Sequence, residues 1–141
     1  MTSSPPGLFP ITQATVDQAY EFIFAPWVKE LGLCEFKVES GRVSARLPIS
    51  DKLKFSSGAV CGQALMAAID TVAAIASSTT DRAPKGTVYQ HTHFLRPAIK
   101  EDFLVEAQIV RFGKTSAYAE ARVTLASSGE LVAHAVLEFA F

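Results

Sequence analysis

Apolar positions along this chain recur in two rhythms, helical and alternating. Between Thr15 and Leu31 they fall at helical spacing, and Tyr20, Phe22, Ile23, Trp27 and Leu31 form a stripe. Thr15 is placed to cap that helix, Pro26 to kink or split it, and Gly32 to stop it. Cys34–Glu39 and Arg42–Pro48 then alternate in the manner of strands, with Ser40-Gly41 as the turn between them. A polar loop over 50–58 gives way to an alanine-rich run from about Val60 to Ser77, apolar almost all round. Such a helix must be wrapped on several sides. After a loop over 78–85 come four strands: Gly86–Leu95, Phe103–Phe112, Ser116–Ala126 and Leu131–Phe141. Gly113-Lys114 and Ser128-Gly129 mark tight hairpins, and Arg96-Pro97 with Glu101-Asp102 marks a longer one. Residues 1–13 hold three prolines and a glycine and read as an irregular lead-in.

Strands outnumber helices, and strands joined by short turns run antiparallel. No βαβ alternation is present, which excludes a doubly wound sheet. The order predicts a single α+β domain over 1–141, with a curved antiparallel sheet wrapped around one long central helix.

Composition narrows the function. The chain has 141 residues, 49% hydrophobic and 19% charged, enough to bury a real core. A formal net charge of −1, with no basic stripe or arm, argues against nucleic acid as partner. Cys34 and Cys61 form no metal-spaced pattern, so a reduced, cytoplasmic protein is the simplest expectation. The N-terminus has neither the basic start nor the apolar stretch of a secretory signal. The 60–78 run approaches the length of a membrane span, but Gln63 and Asp70 interrupt it and amphipathic strands follow, so no membrane partner is expected.

Asp70 is the only charged residue of that run. Burying a carboxylate costs several kcal/mol unless something satisfies it, so this position is either catalytic or a polar contact at a subunit seam. An apolar setting raises a carboxylate pKa, which suits a base or nucleophile near neutrality. Gly62 stands where a helix N-terminus points unpaired N–H groups outward, and a glycine lets a ligand approach them. The alternative is that it only permits tight helix packing.

Gly58, Cys61, Gly62, Gln63 and Asp70, followed by the T-V-Y-Q-H-T-H-F-L-R-P-A segment, resemble the hotdog-fold thioesterases of the phenylacetate-degradation (PaaI-like) type. The F-G-K-T-S-A-Y hairpin and the S-S-G-E-L-V-A-H ending fit the same pattern, so the likeness covers roughly residues 33–141. It implies hydrolysis of acyl-CoA thioesters of small or medium acyl or aryl groups. Gly62 matches the first glycine of the family's H-G-G, Asp70 the acid eight positions later, and Thr87 a hydroxyl that helps orient water. Three departures stand out: Cys61 replaces the motif histidine, Gln63 the second glycine, and Phe55, with Ser56 beside it, falls where the family often carries an asparagine.

The expected roles follow. Gly62 N–H polarises the carbonyl, Asp70 activates water or attacks, and Thr87 and Gln63 position water or acyl group; Gln63 is alternatively a plain polar residue of the first turn. Cys61, Phe55 and Ser56 are candidates for substrate contact. No histidine follows Cys61 at motif distance, so it reads better as packing than as a nucleophile. Arg82, Arg111 and Lys114, with Lys85 and Arg96, are candidates for the coenzyme A phosphates, though charges at turns are usually only solvated. His91 and His93 share a strand face without an evident third metal ligand, so no metal and no cofactor is expected. The aromatic positions Tyr20, Phe22, Phe24 and Trp27 line an acyl pocket or form plain core.

Asp70 lies about 12 Å along the helix from Gly62, at 1.5 Å per residue. One carbonyl cannot touch both groups of one chain. Two central helices antiparallel across a twofold axis bring Asp70 of one copy to Gly62 of the other, which predicts a homodimer with two sites, and a dimer of dimers is plausible. The rivals are a non-catalytic acyl-CoA or small-ligand binding protein, a hydratase, and a purely structural oligomer. A hydratase usually wants a histidine soon after the acid, and Thr71–Lys85 contains none.

Overall fold

Alanine decides how this chain packs. In a computed structural model, which describes residues 7–141, the long helix α3 spans Gly62–Ser77 and buries ten of its residues. It lies in the hollow of a six-stranded antiparallel sheet, β1(Cys34–Glu39), β2(Arg42–Leu47), β3(Gly86–Phe94), β4(Phe103–Phe112), β5(Ser116–Leu125) and β6(Leu131–Ala140). The inner face of β5 and β6 is rich in small residues. Ala119 sits across from Leu137, Ala121 from Ala135 and Val123 from Ala133, all buried. Small side chains on both sides let helix and sheet backbones close up, and the larger core residues Phe103, Leu47 and Phe139 fill the flanks. This is the expected hotdog arrangement.

Three expectations are corrected. First, β3 and β4 form no hairpin. The strand order is β1-β2-β4-β5-β6-β3, so β3 pairs with β6 and the 95–102 connection crosses the sheet. The tight turns consume one edge each of β4 and β6. Strand β2 takes the other edge of β4, and only the free edge of β6 is left for β3. Second, the lead helix splits at Pro26 into α1(Val16–Ile23) and α2(Pro26–Lys29), as expected, but its cap and its apolar stripe differ. Thr15 holds the cap position without capping, because its hydroxyl oxygen accepts the Thr12 N–H at 2.9 Å instead. Tyr20 and Leu31 are buried, but Phe22, Ile23 and Trp27 are exposed. Third, α3 begins at Gly62, with Cys61 as an extended N-cap, rather than at Val60.

Of the lead-in, residues 1–6 lie outside the described part. The remainder is irregular but docked: Leu8 and Ile11 are buried, and Ile11 N–H donates to Ser78 C=O at 2.9 Å. At the opposite end of the sheet, Asp102 accepts bonds from Ile49 N–H (2.9 Å) and Arg46 Nε (2.8 Å). These bonds hold its carboxyl below the usual range, the backbone bond most strongly, and they pin the crossing connection to β2. The Ser40-Gly41 turn needs its glycine, since Gly41 has φ +72° and any Cβ there would stand 3.3 Å from the Phe112 ring. Both cysteines are free, and no helix is long and apolar enough to cross a membrane among the described residues.

Candidate functional site

The α3 helix is not covered all round. Its uncovered positions include Gly62, Met66, Asp70 and Ala74, spaced by four and therefore stacked along one face. Everything the sequence assigned to chemistry on this helix borders that stripe.

Asp70 is half-buried, and its Oδ1 accepts a 2.6 Å bond from Thr87 Oγ1. That length is typical of a hydroxyl donating to a charged oxygen. Burial raises the Asp70 pKa, and the Thr87 bond partly offsets the rise. Thr87 reaches the helix because of a bulge. It pairs with Phe139, an inward residue, whereas Tyr89 pairs with the outward Glu138, and Val88 is the extra residue between them. Without that insertion Thr87 and Tyr89 would share a face. Beyond the bulge His91 and His93 point outward, His93 opposite His134, with the first two rings 4.7 Å apart. His134 turns instead to Glu120 at 2.9 Å, and among the described residues no cluster of ligating side chains is arranged to hold a metal.

Substituting Thr87→Val should test the bond directly. It removes the contribution that lowers the Asp70 pKa, so the acid limb of a pH–rate profile should move to higher pH. An unmoved limb would show that the titrating group is not Asp70.

Gly62 is the first residue of α3, and neither its N–H nor that of Gln63 finds a hydrogen-bond partner among the described residues. The Phe94 ring lies over it, 3.2 Å from where a Cβ would be. Gly62, Phe55 and Phe94 line one open crevice of about 460 Å³. Cys61 and Gln63 line another, of about 410 Å³, with Trp27 and Leu53. Asp70 and Thr87 line neither; they border a third cavity of about 230 Å³ with Ile23 and Phe24. Within one chain, then, Gly62 and Asp70 remain apart. Ser56 is exposed and lines none of these crevices.

Of the cationic candidates, Arg82 is already engaged. Its guanidinium donates to the carbonyls of Lys114 (2.8 Å) and Gly113 (2.9 Å) and stacks over the Phe141 ring at 3.9 Å. Arg96 pairs with Glu130 and bonds Leu131 C=O. Lys114 is exposed and Arg111 largely so. Sequence reasoning missed Phe94, Met66, Phe9, Ile11 and Phe139 as site neighbours. Only Met66 left a readable signal, its place midway between Gly62 and Asp70.

Comparison with known proteins follows the same lines. A family model described as the thioesterase superfamily matches residues 57–132. Thioesterase superfamily member 2 of zebra fish superposes with a TM-score of 0.82 at 23% identity, covering 92% of this chain and 98% of that one. The PaaI protein of the phenylacetic acid degradation operon of E. coli gives 0.79 at 18%, covering 89% and 88%. A hypothetical thioesterase protein of Streptococcus pneumoniae, solved with coenzyme A, gives 0.71 at 16%, covering 76% and 84%. These likenesses are of fold. No curated protein sequence matches the chain.

Proposed function

We propose that this chain, which belongs to the thioesterase superfamily, hydrolyses acyl-CoA thioesters in paired sites, each built by Asp70 of one copy and Gly62 N–H of a second. One observation carries the reading: a half-buried carboxylate, bonded to a hydroxyl at 2.6 Å, borders an apolar cavity on the uncovered stripe of α3. That stripe also carries an unpaired helix N-terminal N–H. The coenzyme A bound to one protein of the same fold makes acyl-CoA the natural substrate class.

The chemistry follows from the groups. The thioester carbonyl oxygen accepts the Gly62 N–H, which with the helix dipole stabilises the charge that grows on it. Asp70, ionised, takes a proton from water as the water oxygen bonds to the carbonyl carbon, and the C–S bond breaks as the coenzyme A thiolate leaves with that proton; alternatively the carboxylate attacks the carbon, the C–S bond breaks to release the thiolate, which takes a proton from solvent, and water then hydrolyses the resulting acyl anhydride. Thr87 holds the carboxylate, and Gln63, in the first turn, borders the entering acyl group. Phe55 and Cys61 flank the helix N-terminus, Ser56 stays outside the crevices, and Arg111 and Lys114, exposed and unpaired among the described residues, serve the phosphates. No step calls for a metal or a redox cofactor.

The second copy is supported by what the single chain leaves open. Strand β3 has a neighbour on one side only. Val88, Tyr89, Phe94, Leu95 and Met66 are all exposed around that edge and the α3 stripe. A row of this size, beside unpaired strand groups, fits an isologous seam. In the same reading such dimers pair into a dimer of dimers.

Thiol release from short, medium, long and aryl acyl-CoAs, followed with a thiol-reactive dye, tests the proposal. Turnover of at least one class is expected. Saturable acyl-CoA binding without thiol release would sink it in favour of a binding protein.

A further inference from the structure

The cavity beside Asp70 is assembled from segments far apart in sequence. Phe9 and Ile11 come from the lead-in, Ile23 and Phe24 from the end of α1, Phe139 from β6, and Ala74 from the next turn of α3. The lead-in is fastened in place by the Ile11–Ser78 backbone bond, so this wall is present before any ligand arrives. Apart from Asp70, Thr87 and Ser78, the side chains that line it are apolar. The Ser78 hydroxyl, which also borders it, is spent on Ala74 C=O at 2.7 Å. Thr87 Oγ1 donates to Asp70 Oδ1, and the other carboxylate oxygen serves the reacting carbonyl at the mouth rather than the tail. A tail carrying hydroxyl or charge would be stripped of water there without a partner, at a cost of about 1–3 kcal/mol or more per group.

We infer that this cavity receives the acyl tail of the substrate, that the tail is apolar, and that Phe24 and Ala74 bound its length. The inference rests on the acyl-CoA reading above. About 150 Å³ of apolar cavity is enough for benzene; at about 230 Å³, the space accommodates roughly eight or nine carbons on that scale. The thioester carbon then lies at the mouth, beside Asp70, and the coenzyme A moiety extends away from the apolar walls. Phe24 and Ala74 act here as specificity-determining residues, because they touch the tail and not the reacting atoms.

The test compares kcat/KM for acetyl-, octanoyl-, dodecanoyl- and succinyl-CoA. The wild type should prefer octanoyl-CoA to both its shorter and longer analogues and should discriminate against succinyl-CoA. Ala74→Leu fills the cavity and should lower the octanoyl-to-acetyl ratio at least about tenfold. Phe24→Ala opens it and should raise the dodecanoyl-to-octanoyl ratio about tenfold. The two changes push in opposite directions, so a general loss of activity cannot imitate them, and either folded variant suffices. A hydrolysing wild type whose ratios neither substitution moves overturns the inference and leaves the thioesterase reading intact. So does a wild type that cleaves succinyl-CoA as well as octanoyl-CoA. Absence of hydrolysis on every acyl-CoA overturns both.

Discussion

Asp70→Asn is expected to lower kcat by about 10²–10⁴-fold while the protein melts no earlier at neutral pH. The first half follows from the chemistry: an amide can neither accept the proton from water nor attack the carbonyl. The second half follows from the sign of the pKa shift. Burial raises the folded pKa of Asp70, so the ionised carboxylate carries a penalty in the fold. That penalty is present above the folded pKa and disappears as pH falls below the unfolded value. Asparagine is uncharged at every pH, keeps an oxygen for Thr87 to bond, and removes the penalty. A melting curve beside the steady-state rates would check both halves. Unchanged turnover would remove Asp70 from the mechanism, and a large loss of stability would show that the carboxylate is structural.

Met66→Glu is expected to yield single chains and to cost about 10²–10³-fold in turnover, the usual loss on removing one oxyanion donor. If Gly62 of one copy faces Asp70 of the other, the twofold axis passes the residue midway between them, and that residue is Met66. It is 39% exposed in the single chain, so its exchange disturbs little of the core, and glutamate forms helix about as well as methionine. On the axis, however, each glutamate would meet its own image, and like charges so juxtaposed cost several kcal/mol. Light scattering should then report a mass near the 15.2 kDa of one chain. A variant that is monomeric and fully active would break the shared-site geometry, as would one whose dimer persists unchanged.

The architecture was legible because each local signal agreed with the global one. Alternation, turn residues and the alanine run give the elements within a residue or two. The pairing of β3 was not legible. An antiparallel neighbour after an eight-residue connection reads as a hairpin, and only the claims of β2, β5 and β6 on the other strand edges send β3 to the far side. Asp70 could be singled out because one charge in an apolar helix needs a reason. Thr87 was located only by family likeness, since the bulge at Val88 that turns it inward leaves no mark on the alternation. The walls of the acyl cavity were hidden for another cause: they bring residue 9, the end of α1 and residue 139 together, and no local pattern encodes such a meeting. Arg82 looked like a phosphate ligand because a guanidinium at a turn says nothing about the carbonyls it will find.

If two copies pair as proposed, the four-residue interval between Gly62, Met66, Asp70 and Ala74 also bears on how their helices cross. Ridges formed by every fourth side chain interlock with interaxial angles near −50° rather than side by side. The axes are then nearest at Met66 and splay apart toward either end. Each reacting pair falls about 6 Å from that crossing point, where the gap has begun to widen. In the proposed dimer two mouths would open in this way from a single contact, without any loop having to move aside.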